Sequence, residues 1–406
     1  MRRSNLFVTS SKETEADTHC KSAELAVQAG LVHNYGSGTF GFSHLGQKVL
    51  DNIESVIREE MDEIGQKVKM NILQTSGLWK KSGRWKNFEG EEFFNFKNRD
   101  DKDFTIAATH EEASVELTKK YIRSYRDLDL TIYQIGRKFR DDHARNGLLR
   151  AKEFVMKDSY SFHKDQQGLQ EKYQEFLNAY RCIFDKLGLE YSVVAADNGS
   201  MGGSQSHEFM AEAEIGSDTY LKCDNCEFGT KDLETQKCSN CGSNLREVNG
   251  IEIGHCFQLG TRYSKAMDLT FDTEEGETEE VIMASYGIGV SRLISAIIEQ
   301  NHDQNGITWN EQVSAFTVSV ITARHEKEVE EKAEEIYQEL KENGVEALLY
   351  EGQKSTGERF KDSDLLGINH KIILGSNFLE NEKIEIESRS GEKKEVEAGE
   401  VVEEMS

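Results

Sequence analysis

Proline is absent from this chain of 406 residues. Average usage of about 5% would supply roughly 20, and chance does not reach zero from there. No apolar run approaches the roughly 18 residues of a membrane-spanning helix, which excludes one. The opening stretch, MRRSNLFVTSSKETEADTHC, lacks an apolar h-region, so no secretory signal is expected. Positive charge is in deficit: 49 Lys and Arg stand against 74 Asp and Glu, a net charge of -25 with pI ≈ 5.0. That balance argues against a general nucleic-acid binder but leaves room for a local basic surface. A salt-adapted or solubility-optimised surface would show the same balance. At 37% hydrophobic and 30% charged residues, the chain reads as soluble, with length for two or three domains. Seven cysteines, four of them in CxxC pairs, point to metal in a reducing, cytoplasmic compartment rather than to disulfides.

Against that acidic background, Tyr133 to His163 stands out. Tyr133-Gln134-Ile135 and Glu153-Phe154-Val155-Met156 read as strands, and the Gly-containing stretch Asp141 to Gly147 as the loop of a hairpin. Its cations are Arg137, Lys138, Arg140, Arg145, Arg150, Lys152 and Lys157. Arginine forks match phosphate or carboxylate, and Phe154 beside them suits a base, so the pattern fits a nucleotide. A solvated hairpin face explains the same residues.

Several ordered motifs decide between these readings. Phe139-Arg140-Asp141-Asp142 with Arg150-Ala151-Lys152-Glu153-Phe154 resembles motif 2 of class II aminoacyl-tRNA synthetases, and Tyr286-Gly287-Ile288-Gly289-Val290-Ser291-Arg292-Leu293 resembles motif 3. Thr109-His110-Glu111-Glu112, Ser206-His207-Glu208-Phe209-Met210 and Gly254-His255-Cys256-Phe257-Gln258-Leu259-Gly260 are similar to blocks of the prolyl-tRNA synthetases, in the same order. The resemblance covers nearly the whole chain and is to enzymes of bacterial-like sequence. It implies an α+β class II catalytic core, an antiparallel sheet flanked by helices, with a C-terminal α/β anticodon-binding domain. It implies ATP-dependent attachment of proline to tRNA(Pro) through prolyl-adenylate, with ATP entering as its magnesium complex. Carried over residue by residue, Arg140 and Arg292 are catalytic. Thr109, Glu111, Arg140, His163, His207 and His255 face proline. Arg140, Asp142, Glu153, Phe154, Gln258, Gly287, Gly289 and Arg292 face ATP. Asp142 stands where the family usually has glutamate, which shortens that contact by a methylene. A synthetase-like paralogue without catalysis, or an inert scaffold, stays open; loss of Arg140 or Arg292 would mark the first, and both are present.

Thr109 and Glu111 follow a strand-like run, Phe104 to Ala108, and precede a helix from Ala113 to Tyr125. A secondary ammonium needs acceptors for its N–H groups, and a hydroxyl and a carboxylate supply them. Thr109-x-x-Glu112 is equally a capping box. Leu45 to Ile64 carries apolar residues at three- and four-residue steps, followed by Gly65 and a strand from Val68 to Gln74. By resemblance this pair is motif 1, which builds a homodimer interface. Residues 17–31 and Gln167 to Leu187 read as amphipathic helices, Tyr191 to Ala195 as a strand, and Gly199 to Gly203 as a flexible turn. Ile251 to Ile253, His255 to Leu259 and Val281 to Ala284 read as separate strands.

Cys223-x-x-Cys226, eleven residues, then Cys238-x-x-Cys241 is the strongest motif without context. Two CxxC knuckles aim four thiolates at one point and predict a structural Zn²⁺ ribbon, with Gly229 and Gly242 easing the turns; thiol redox pairs or vestigial cysteines would show the same spacing. Bacterial-type members of the family commonly carry a large editing insertion between the Met210 and Gly254 blocks. Only about 40 residues separate them here, so a metal-stapled insert stands in its place. Beyond a polar linker, strands and helices alternate as β-α-β-α-β from Phe316 to Leu374, a mostly parallel α/β domain. Glu380 to Ser406 is expected to form a hairpin and a frayed tail. The expected domains are 1–217 and 251–312 for the catalytic core, 218–250 for the insert, and 313–406 for the anticodon-binding domain. The missing prolines fall where the family usually has them, at Asn71, Ala108 and Thr356, which favours deliberate removal by engineering or design over an odd natural composition.

Overall fold

The computed structural model describes residues 1–7, 10, 20–85, 93–196, 205–352 and 354–405; the expected turn from Gly199 to Gly203 lies outside them. Contacts divide the chain into two compact units. One joins Tyr35–Phe40 to Glu54–Ala296; the other joins Met1–Asn34 and Gly41–Ile53 to Ile297–Ser406.

The long helix α1, His44–Ile64, buries the expected stripe, including Val49, Ile53, Ile57 and Met61. A two-residue strand β1, Gln66–Lys67, follows and pairs with Ile132 and Tyr133. The strand expected through Gln74 breaks there. Met70 N donates to the Gln134 side chain and Asn71 Nδ2 to Leu73 O, so side chains satisfy groups that a ladder would have used. Pairing resumes only at Leu73–Thr75, against Asp103–Ile106. The helix expected to reach Tyr125 is shorter: α2 spans Glu111–Thr118.

The hairpin forms as expected but longer. β2, Leu130–Phe139, and β3, Glu153–His163, are antiparallel from Leu130 opposite Phe162 to Phe139 opposite Glu153. Helix α3, Gln166–Lys186, is capped by Asp165, whose carboxylate accepts from Gly168 N at 2.8 Å. It lays Tyr173, Phe176, Tyr180 and Phe184 on the sheet. Then come β4, Tyr191–Ala196; β5, Gln205–Glu212; β6, Asp218–Cys223; β7, Phe228–Thr230; β8, Leu245–Gly260; and β9, Ile282–Ile288. These strands complete a nine-stranded sheet in the order β5-β4-β7-β6-β8-β9-β3-β2-β1, with β5 also paired to β8.

That extra pairing closes a ring. The first half of β8 pairs with β6 and the second half with β5, while β7 joins β6 to β4 and β4 joins β5. Val194, Met210, Tyr220 and Val248 form its core. The cysteine-bearing insert is therefore woven into the sheet. Gly229 lies within β7 rather than in a turn, and a Cβ there would come within 2.7 Å of Val194. The two strands expected on either side of Gly254 are one, because Gly254 stays extended and packs against Phe184, where a Cβ would stand 3.0 Å from the ring.

Helix α4, Val290–Gln300, carries the chain onward. In the C-terminal unit β10, Val318–Thr322, is followed by α5, Lys327–Glu342; β11, Ala347–Tyr350; α6, Thr356–Leu366; and β12, His370–Leu374. The last strands are β13, Lys383–Ser388, and β14, Lys393–Glu397. The order is β11-β10-β12-β13-β14, parallel around β10 and antiparallel beyond β12. The tail does not fray through Met405: Val401–Met405 is helical and Val401 is fully buried in the same core as Val318 and Ile336, an apolar anchor that outweighs the surrounding acid.

Candidate active site

Alternation along β3 sorts two faces. Lys157 Nζ donates to the Tyr180 hydroxyl of α3 at 2.7 Å, while Phe154, Met156, Asp158 and Tyr160 line a cavity of about 330 Å³. On β8 and β5 the same rule applies. His255, Phe257 and Glu208 line the cavity, whereas Gln258 donates to Gln170 of α3 at 2.9 Å and His207 Nδ1 lies 2.9 Å from the Tyr173 hydroxyl. Residues opposite one another in a ladder share a face, and Glu208 opposes His255 as His207 opposes Cys256.

Two arginines enter this cavity with different anchors. Arg140 leaves the end of β2, its backbone N bonded to Lys152 O at 2.9 Å. Its Nε donates to Ala108 O at 3.3 Å, and its guanidinium lies 5.4 Å over the Phe154 ring. Arg292, on the first turn of α4, donates from Nε to Leu149 O at 3.0 Å and from Nη1 to Glu252 O at 2.8 Å. Gly287 and Gly289 line the cavity beside it. A Cβ on Gly287 would meet only Met156 sulfur, at 3.9 Å, so packing alone does not require glycine there. Asp142 is ion-paired with Arg150, and that pair holds its carboxyl below the usual range against the effect of burial.

Not all the hairpin cations face outward. Lys138 is fully buried, 2.6 Å from Asp158 Oδ1. Lys157 is fully buried among Tyr180, Phe176 and Tyr286, and loss of hydration pulls its ammonium down to about 7. Asp158 also accepts from Gln134 Nε2 and from the Tyr160 hydroxyl, each at 3.0 Å. Tyr160 in turn accepts from His110 N at 3.1 Å, so the hairpin supports the Thr109–Glu112 turn from below. Burial lowers the His110 imidazole to about 4.

The capping box is not made. Helix α2 starts at Glu111 with His110 as an N-cap that has no side-chain bond. The Thr109 hydroxyl instead donates to Glu111 Oε2 at 2.6 Å, and Glu112 accepts from Ser82 Oγ at 2.6 Å and from Arg84. Hydroxyl and carboxylate find each other, and a buried arginine takes the second acid.

The structure thus brings Thr109, Glu111, Arg140, Asp142, Phe154, His255, Gly287, Gly289 and Arg292 around one cavity. It places four others elsewhere. Glu153 pairs with Arg137 on the outer edge, at 2.9 Å. His163 is fully buried, 2.9 Å from Asp129, and His207 and Gln258 lie on the α3 side. Arg84, Asp158, Tyr160, Glu208 and Glu252 line the cavity without having been singled out. Period-two spacing from Phe154 marks Asp158 and Tyr160 in the sequence; nothing there marks Arg84. Glu208 is pushed up by burial and the neighbouring Glu252, against an ion pair with Lys231 at 2.5 Å.

The four CxxC thiols converge, all within 4.8 Å of one another. Sγ of Cys223 lies 3.5 Å from that of Cys241, and Cys226 lies 3.5 Å from Cys238 and 3.7 Å from Cys241. A tetrahedral ion with Zn–S of about 2.3 Å needs sulfurs near 3.8 Å apart. Asn225 N and Asn240 N each donate to the sulfur two residues earlier, at 3.4 Å, as thiolate knuckles require. Gly242 supplies a left-handed turn at φ 74°.

Residues 94–301 match the model of the tRNA synthetase class II core domain (G, H, P, S and T), and residues 317–406 match the anticodon binding domain. A proline–tRNA ligase of Sulfurimonas denitrificans is 38% identical over 402 positions, covering 92% of each chain. One from Halothermothrix orenii is 31% identical over 544 positions, covering 96% of each. A crystal structure of prolyl-tRNA synthetase from Cryptosporidium parvum, complexed with halofuginone and AMPPNP, superposes with TM-score 0.79 at 18% identity, over 95% of this chain and 74% of that one.

Proposed function

The chain belongs to the proline–tRNA ligase family of class II aminoacyl-tRNA synthetases, and on that premise we propose the following assignment of its chemistry. It attaches proline to tRNA with ATP, in two steps. The proline carboxylate attacks the α-phosphate to give prolyl-adenylate and pyrophosphate; the terminal ribose hydroxyl of tRNA then takes the prolyl group and AMP leaves. Catalysis is positioning and charge stabilisation. Arg140 takes the junction of carboxylate and α-phosphate, and Arg292 the γ-phosphate. Phe154 stacks on adenine, and Thr109 and Glu111 receive the secondary ammonium. The observation that carries this reading is the convergence of Thr109, Glu111, Arg140, Phe154 and Arg292, drawn from separate segments, on one cavity. Magnesium arrives with ATP and neutralises phosphate charge.

The four convergent thiols support a structural zinc held by Cys223, Cys226, Cys238 and Cys241, stapling the ring rather than taking part in catalysis. Ile72, Leu73 and Phe96 are apolar and 40%, 54% and 42% exposed around the small sheet that follows α1, which favours a homodimer through that surface. The α/β unit from 313 to 406 is assigned to the anticodon of tRNA(Pro), and the location to the cytoplasm.

The test is ATP–pyrophosphate exchange on the purified chain, with zinc content and solution mass measured on the same sample. Proline-dependent exchange, one zinc per chain and a dimeric mass are expected. A chain that binds ATP and proline without exchanging would overturn the enzyme reading. Four alkylatable thiols in the native, zinc-free protein would overturn the metal, and a monomer at working concentration the dimer.

A further inference from the structure

Glu111 and Glu112 are consecutive and both buried, their side chains 4% and 0% exposed. Two carboxylates side by side out of water repel and resist ionisation unless a cation joins them. Arg84 is that cation, its side chain 4% exposed. Its Nη1 donates to Glu111 Oε2 at 3.0 Å and lies 3.2 and 3.3 Å from the two Glu112 oxygens. The rings of Trp79 and Tyr263 stand 4.9 and 5.5 Å from its guanidinium carbon, so the fork is held by its faces as well as its edge. Thr109, Glu111 and Arg84 line the cavity, and Glu112 does not. One acid is thus internal and the other faces the cavity.

We propose that Arg84 is a positioning residue that sets amino-acid specificity by neutralising Glu112 and pinning one oxygen of Glu111. This rests on the reading of Thr109 and Glu111 as the proline-ammonium site. The Arg84 and Thr109 bonds both fall on Glu111 Oε2, which leaves Oε1 as the acceptor offered to a ligand. The Thr109 hydroxyl donates its O–H to Glu111 Oε2 and keeps its lone pairs for a ligand's N–H. A secondary ammonium carries two N–H donors, one for each of these acceptors; a primary ammonium carries a third, and arginine can accept none. Burial and the adjacent Glu111 push the Glu112 carboxyl up and Arg84 opposes them; with both acids ionised, two carboxylates and one arginine sum to a single negative charge, matched to one ammonium.

The experiment is pyrophosphate exchange with proline and ATP varied independently, in the parent, Arg84→Met, Arg84→Lys, Glu111→Gln and the double variant Arg84→Met with Glu112→Gln. Arg84→Met should raise the proline KM roughly ten- to a hundredfold, the worth of a charge-assisted bond, and leave the ATP KM unmoved. The double variant should recover most of that loss, because the acid that needed compensation is gone. Arg84→Lys keeps the charge without the fork and should fall between; it also carries the test if Arg84→Met does not fold. A fall in kcat at unchanged proline KM, or a double variant no better than Arg84→Met, overturns the proposal. If Glu111→Gln loses proline while Arg84→Met does not, only the role of Arg84 has failed. If Glu111→Gln keeps the parent's proline KM, the underlying site reading fails with it.

Discussion

At the residue scale, the contrast between Arg140 and Arg292 predicts different phenotypes. Arg292 is braced by two backbone carbonyls at 2.8 and 3.0 Å, whereas Arg140 has one acceptor at 3.3 Å and an aromatic ring. On the proposed assignment a braced arginine presents a fixed charge to the triphosphate, so Arg292→Ala should raise the ATP KM. A loosely held one can tighten on charge that develops at the α-phosphate. Arg140→Ala should therefore lower the adenylation rate by about a hundred- to a thousandfold, far more than it weakens ATP binding, the usual cost of losing one donor to charge that develops in the transition state. Lysine should rescue neither, lacking the planar fork. An Arg140→Ala variant that exchanges pyrophosphate as the parent does would show that Arg140 is misplaced. The candidate site was legible at this scale where motif residues sit at strand ends or on the cavity face, as Arg140, Phe154 and Arg292 do. His207 and Gln258 show what was not legible. Adjacent residues on a strand face opposite ways, and the motif alone does not say which of His207 and Glu208 turns inward. Arg84 was invisible because its partners lie 27 and 28 residues away.

At the scale of elements, long periodic segments were readable. α1, α3 and α5 stand within a residue or two of their apolar stripes, and the motif 2 hairpin formed where alternation placed it. What was not readable depended on tertiary closure. β8 runs unbroken through Gly254 because α3 packs on it, and β6 and β7 exist by joining the ring. The proline-free composition can also be tested on one element. Thr356 is the first residue of α6, after Ser355, which caps the helix at φ -61° and ψ 151° in a capping box with Glu358. The first helical position has no intrahelical acceptor for its N–H, and proline is preorganised for it. The backbone of Ser355 already has the extended conformation that a following proline demands. Thr356→Pro loses one hydroxyl contact to Ala323 O at 3.3 Å. It should nonetheless stabilise the chain by about 0.4–1 kcal/mol through a less disordered unfolded state, read as a higher Tm. A lower Tm would mean that this helix start does not tolerate the ring.

At the scale of the whole molecule, the interval between the Met210 and Gly254 blocks decides how the chain treats errors. Residues 211–253 are all described, and they are taken up by the end of β5, by β6 and β7, by the two cysteine knuckles and by the first half of β8. Nothing of that interval is left over for a hydrolytic module. The Halothermothrix orenii relative needs 544 aligned positions to cover 96% of this chain, whereas the Sulfurimonas denitrificans relative needs 402 to cover 92%. The first therefore carries extra chain that this protein and the second do not. We infer that an editing insertion between these two blocks is absent from this chain and that the cysteine-bearing ring stands in its place. On that inference, discrimination rests on the synthetic cavity. Alanine fits a proline site without steric objection, and the methylenes it lacks are worth only about 1–3 kcal/mol, so some should be activated. At the proposed ammonium site its primary ammonium would add an unpaired N–H, which raises the barrier but destroys no product once made. Alanyl-tRNA(Pro) supplied to the purified chain should persist at the rate of its spontaneous hydrolysis. The measurement is deacylation of labelled alanyl-tRNA(Pro) with and without the protein. Rapid enzyme-dependent loss would mean that a second hydrolytic site exists in this chain, and that the ring does more than hold the sheet together.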